Sequence, residues 1–84
     1  MREIINVTDK YGFIHHVNVN HSPAVGISIA YYDGNMIASV EYGNLHEPAT
    51  DNDGEWERYE EELQAWKETA ETNLIPKCEE YFNR

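Results

Sequence analysis

Asp33-Gly34, set between two runs of alternating apolar residues, constrains this chain more than any other pair. Aspartate followed by glycine is a preferred pair for a type I′ turn, because both central positions need a positive φ. Val25 through Tyr32 run into the turn, and Asn35 through Tyr42 return from it. A two-residue loop predicts Tyr31 opposite Met36, Ile29 opposite Ala38, Ile27 opposite Val40 and Val25 opposite Tyr42. Each of these pairs is apolar, so this face is expected to pack. Ala30/Ile37, Ser28/Ser39 and Gly26/Glu41 fall on the opposite, wetter face.

An earlier hairpin is legible by the same period. Ile5 and Val7 point one way, with Ile4, Asn6 and Thr8 opposite. Asp9-Lys10-Tyr11-Gly12 reads as a turn with glycine in a left-handed position. The returning strand carries Phe13, His15, Val17 and Val19 on one face and Ile14, His16, Asn18 and Asn20 on the other. A bulged loop would place Val7 opposite His15 and Ile5 opposite Val17. Asn20-His21-Ser22-Pro23 is expected to break the pattern.

From about residue 55 the period changes to that of a helix. At 100° per residue, Trp56, Tyr59, Leu63, Trp66, Ala70 and Leu74 form one apolar stripe. Asp51 or Asp53 is placed to cap this helix. Its predicted end is Asn73, after roughly 28 Å, because Pro76 disfavours helical geometry in the residue before it. Pro76 would then open a short final helix containing Cys78, Tyr81 and Phe82. The expected architecture is α+β: two β-hairpins form a four-stranded antiparallel sheet, covered on one face by a C-terminal amphipathic helix, with a short terminal helix after it. Residues 1–46 supply the sheet, 47–54 an acidic loop and 55–84 the helical segment of one domain.

Eighty-four residues limit the core to about one sheet face and one helix. No apolar run is long enough to span a membrane, and the N-terminus turns polar too soon for a secretory signal. A single cysteine, Cys78, fits a reducing compartment, so a cytoplasmic location is expected, that of the host if the gene is carried by a phage.

Charge is the unusual quantity: 16 acids against 6 bases give −10. Residues 1–46 hold four acids and two bases, whereas residues 47–84 hold twelve and four, leaving −2 and −8. This opposes binding to nucleic acid or an anionic membrane and favours a basic partner. Glu57, Glu60, Glu61, Glu68 and Glu71 fall in a second helical stripe broken only by Gln64. Five carboxylates over roughly 21 Å give about one per 4 Å, close to the 3.4 Å phosphate spacing of one DNA strand. The ordinary reading of such a stripe is a solvated outer face. The sharper reading is a polynucleotide mimic that occupies a basic protein surface, such as that of a nuclease or another nucleic-acid-binding protein. Glu47, Asp51 and Asp53 would extend its footprint. Arg58–Glu62 and Lys67–Glu71 are spaced to offset some of the repulsion within the helix. Phage-type inhibitors share this size and acidity, an analogy of class alone.

Other chemistry is thinly signalled. His15 and His16, adjacent on a strand, face opposite ways and cannot share an ion. No paired His/Cys spacing of the zinc type occurs. Asp51-Asn52-Asp53-Gly54 resembles part of a calcium loop, but its first ligand position would be Ala49. Glu79 and Glu80 beside Cys78 disfavour a thiolate, so a structural, partly buried cysteine is expected. No nucleophile elbow, phosphate loop or dinucleotide fingerprint is present, and neither an enzyme nor a cofactor is expected. Two rivals stand beside the mimic. One is a homodimeric assembly module using a sheet edge or the Tyr81/Phe82 segment, and the other is a small metal protein or enzyme built on the histidines.

Overall fold

The computed structural model describes residues 2–84 and contains strands β1 (Arg2–Thr8), β2 (Ile14–Ser22), β3 (Ile27–Tyr32) and β4 (Asn35–Glu41), then helix α1 (Asp53–Phe82). The strands form one antiparallel sheet in the order β1-β2-β3-β4, with α1 across one face. No helix among the described residues is long and apolar enough to cross a membrane.

The first hairpin has the predicted register, with Val7 opposite His15 and Ile5 opposite Val17. Its turn is held by Asp9, whose Oδ1 accepts hydrogen bonds from the backbone N–H groups of Tyr11 and Phe13 at 2.9 and 3.0 Å. Gly12 has φ 87°, the left-handed conformation expected there. β2 does not stop at Asn20. It continues through His21 and Ser22, so the inward alternation runs His15, Val17, Val19, His21.

The second hairpin turns at Asp33 and Gly34 with φ 53° and 80°, and Tyr31 meets Met36 as expected. Beyond that pair the register corrects the sequence reading. A bulge between Ala30 and Tyr31 brings Ala30 opposite Ala38, Ile29 opposite Ser39, Ser28 opposite Val40 and Ile27 opposite Glu41. The pairs expected for Ile29 and Ile27 are therefore not made, and the packed face is the other one. Ser28 and Ala30 are fully buried, whereas Ile27 and Ile29 are half-buried on the open side. The cause is neighbouring β2: directly paired residues share a face, and Val19 pairs with Ala30 and His21 with Ser28. The small side chain of Ala30 also packs in the same buried cluster as Leu74 of the helix. Apolar size alone favoured the wrong face.

The core gathers Ile5, Val7, Val17, Val19, Ala30, Leu74 and Cys78, with Tyr32, Ile37, Val40, Ile75 and Phe82 packed around it. Burying each large aliphatic side chain contributes about 1.5–3 kcal/mol before the entropy of ordering the chain is subtracted. Cys78 is fully buried, and burial together with Glu79 pushes its thiol pKa up.

The helix also departs from expectation. It is one element of 30 residues, and Pro76 lies inside it, so there is no separate terminal helix. Proline removes one hydrogen bond and costs about 3 kcal/mol in a helix interior. Leu74 and Cys78 lie on either side of it, both with no exposed surface, and Phe82 stacks on His15 at 3.9 Å between ring centroids. Tertiary packing past the proline holds the last turns in register. The N-cap is Asn52, rather than Asp51 or Asp53: its side chain accepts from the N–H groups of Gly54 and Glu55.

At 1.5 Å per residue the helix is about 45 Å long, and it dominates a molecule of 49 × 20 × 18 Å. From Asp53 to Ala65 no helical residue is buried, and the first buried one is Trp66. Trp56, Tyr59 and Leu63, expected to cover the sheet, are only half-buried. The loop after β4 runs beside this part of the helix. The Trp66 indole N–H donates to the Gly43 carbonyl at 2.6 Å, and that of Trp56 donates to Thr50 at 2.8 Å.

Candidate functional site

The acidic stripe divides into two environments. Glu57, Glu60, Glu61 and Glu68 are exposed, as are the loop acids Glu47 and Asp51 and the helix-start acid Asp53. Among the described residues, the ion pairs engage Asp9, Glu3 and Glu71 and leave those four glutamates without a basic partner. Glu68 accepts a hydrogen bond from the Gln64 amide at 3.2 Å. The expected Lys67–Glu71 pair is not made, because Lys67 Nζ reaches across to Glu3 Oε1 at 2.5 Å. Asp53 and Glu55 also lie in the first turn, where the helix dipole favours negative charge.

Glu71 belongs to the second environment. Its Oε1 lies 3.2 Å from His21 Nε2, and its side chain keeps only 23% of its exposure. Helix geometry explains why one glutamate of the stripe turns inward. The buried residues Trp66, Ala70, Leu74 and Cys78 are spaced by four, and each such step advances about 40° around the axis. By Cys78 the packed face has drifted about 120° from Trp66 and reaches the side carrying Glu71. Straight stripes drawn at 100° per residue miss this drift.

Three elements meet there. Glu3 comes from β1, His21 from β2 and Glu71 from α1, with one ligand-type atom of each within 4.8 Å of the others. The His21 side chain has no exposed surface, and its Nδ1 lies 2.6 Å from Ser28 Oγ. The Trp66 ring meets the imidazole edge-on at 5.7 Å. Burial lowers the His21 pKa. Burial, then the neighbouring Glu3 carboxylate, raises the Glu71 pKa to about 7. The hydrogen bond from Glu71, then Lys67, holds Glu3 below the usual carboxylate range. Below about pH 7 a proton is thus retained on Glu71 while Glu3 stays ionised. Sequence reading missed this cluster because His21 was assigned to a break between strands. The odd-numbered inward alternation, carried two residues further, was the signal that could have found it.

Two of the remaining histidines, His15 and His16, make local contacts. His15 Nε2 is 2.9 Å from Asp9 Oδ2, with Tyr32 OH at 3.4 Å from Nδ1. That contact lowers the Asp9 pKa. His16, on the open face, pairs with Asn6 at 2.7 Å. Tyr59 sits beside the exposed loop acid Glu47, and burial followed by that negative charge raises its pKa.

Comparison with protein-family models, curated proteins and solved structures finds no match to this chain.

Proposed function

We propose that this protein is a binding protein, not an enzyme, and that it occupies the basic nucleic-acid-binding surface of a larger protein. One observation carries the reading: among the described residues Glu57, Glu60, Glu61 and Glu68 stand exposed with no basic partner of their own, the first three on helix turns where no residue is buried. Four carboxylates span roughly 17 Å, a mean step of about 5.5 Å along the axis, the same order as the 3.4 Å spacing of phosphates along one DNA strand. Residues 47–68 carry nine acids against Arg58 and Lys67, and Lys67 is turned to Glu3. Lysine and arginine groups that hold phosphates would meet carboxylates here, which speeds association and makes it salt-sensitive. Glu71 is left out of this surface because it faces His21. In this reading the protein works in the cytoplasm, that of the host if a phage encodes it.

The test is capture of partners from a lysate of the cells that carry the gene, at low and at high ionic strength, followed by elution with duplex DNA. The expected result is a nucleic-acid-binding protein retained at low salt and released by DNA. Retention that neither salt nor duplex DNA disturbs would overturn the proposal.

A further inference from the structure

The Glu3–His21–Glu71 cluster has the makings of a coordination site. A tetrahedral ion with N and O ligands at about 2.0–2.1 Å holds its ligand atoms about 3.3–3.4 Å apart. Here His21 Nε2 is 3.2 Å from Glu71 Oε1 and 3.8 Å from Glu3 Oε2. Small side-chain adjustments would bring both oxygens to coordination distance.

The surrounding contacts favour a bound cation as well. In the tautomer that donates Nδ1–H to Ser28 Oγ, the His21 ring turns its Nε2 lone pair toward both carboxyl groups. A metal-bound histidine commonly holds its other nitrogen this way, which fixes the tautomer and the ring orientation. Lys67 binds Glu3 through Oε1, whereas Oε2 is the oxygen nearer His21. The ammonium therefore grips the outer oxygen and leaves the inner one toward the cluster. Two carboxyl groups and a buried imidazole face one another, with the Lys67 ammonium at their outer edge. Strands β1 and β2 and helix α1 each supply one ligand, so the donors are fixed by the core and not by a loop. Glu3 and Glu71 keep 34% and 23% of their side-chain exposure, which gives an ion a route from solvent.

We propose that Glu3 Oε2, His21 Nε2 and Glu71 Oε1 bind one divalent transition-metal ion of the Zn2+ type, joining the first two strands to the helix. An imidazole nitrogen with two carboxylate oxygens suits Zn2+ or Co2+ better than Mg2+, which prefers oxygen ligands and keeps its water. The proposal is independent of the exposed helix face, which uses none of these three residues.

The experiment is calorimetric titration of the EDTA-stripped full chain with Zn2+ at mildly alkaline pH, with Co2+ added in parallel to read its visible absorption. One ion per chain is expected, with the absorption of tetrahedral Co2+. Glu3→Gln and Glu71→Gln, each checked for fold by circular dichroism, are expected to weaken binding at least tenfold. The double variant Glu60→Gln/Glu61→Gln is expected to bind as the parent does, because those carboxylates lie on the exposed face. Three results would overturn the proposal: no saturable binding, unchanged affinity in folded Glu3→Gln and Glu71→Gln, or a loss that follows Glu60 and Glu61 instead.

Discussion

Glu71 and His21, fifty residues apart in sequence, meet at 3.2 Å beneath the C-terminal half of the helix. The contact joins α1 to β2 and removes one glutamate from an otherwise outward acidic row. It also makes stability depend on pH in a way that can be checked. The folded pKa of Glu71 is about 7 against an ordinary 4.5, so its favourable contribution is complete below 4.5 and is lost as pH rises through 7. His21 acts in the opposite sense: its lowered folded pKa gives stability above 6.5 that is lost on acidification. In metal-free protein, Glu71→Gln is therefore expected to stabilise by about 1–3 kcal/mol at pH 8 and by little at pH 5. Urea denaturation at the two pH values measures this, and an equal effect at both would contradict the linkage.

Gly26, in the turn just before β3, is the most crowded of the glycines. It has φ 75°, and a Cβ there would run into the Tyr42 carbonyl and the Asn44 side chain. Tyr42 N–H also donates to the Gly26 carbonyl at 2.6 Å, closing the end of the second hairpin. Gly26→Ala is expected to cost about 1–3 kcal/mol, combining backbone strain with the displaced carbonyl. Gly12, also left-handed but with open space around it, should lose less on the same change. Thermal denaturation of both variants tests the order.

Pro76 occupies an exposed position inside a continuous helix. Alanine there restores an N–H donor and removes the ring's clash with the preceding turn. Pro76→Ala is expected to stabilise the chain by about 1–3 kcal/mol, with an unchanged helical signal in circular dichroism. A destabilised variant would mean that the proline sets a bend on which the packing of Leu74 and Cys78 depends.

Much of this architecture is legible in the sequence. Val7 opposite His15, the Asp33-Gly34 turn and the helix over the sheet all follow from local periodicity and turn chemistry. What was not legible arose between elements. Ile27 and Ile29 form the larger apolar face of their strand, yet Ser28 and Ala30 pack, because pairing with Val19 and His21 decides the matter. Pro76 stays helical because residues on both sides of it are anchored in the core. Of the acidic stripe, Glu57, Glu60, Glu61 and Glu68 lie where helical periodicity put them, and Glu71 does not, since the packed ridge winds toward it. The inward cluster needed three distant residues, and no spacing rule in the sequence joins them.

If the outward glutamates are the partner surface, then removing them and removing the inward one must have different consequences. The decisive measurement compares two variants in displacing a captured nucleic-acid-binding partner from immobilised duplex DNA at low ionic strength. Glu57→Gln/Glu60→Gln/Glu61→Gln/Glu68→Gln is expected to stay folded and lose displacement, whereas Glu71→Gln is expected to displace as the parent does. Equal displacement by the fourfold variant and the parent, with the same salt dependence, would contradict the proposed role of the acidic helix.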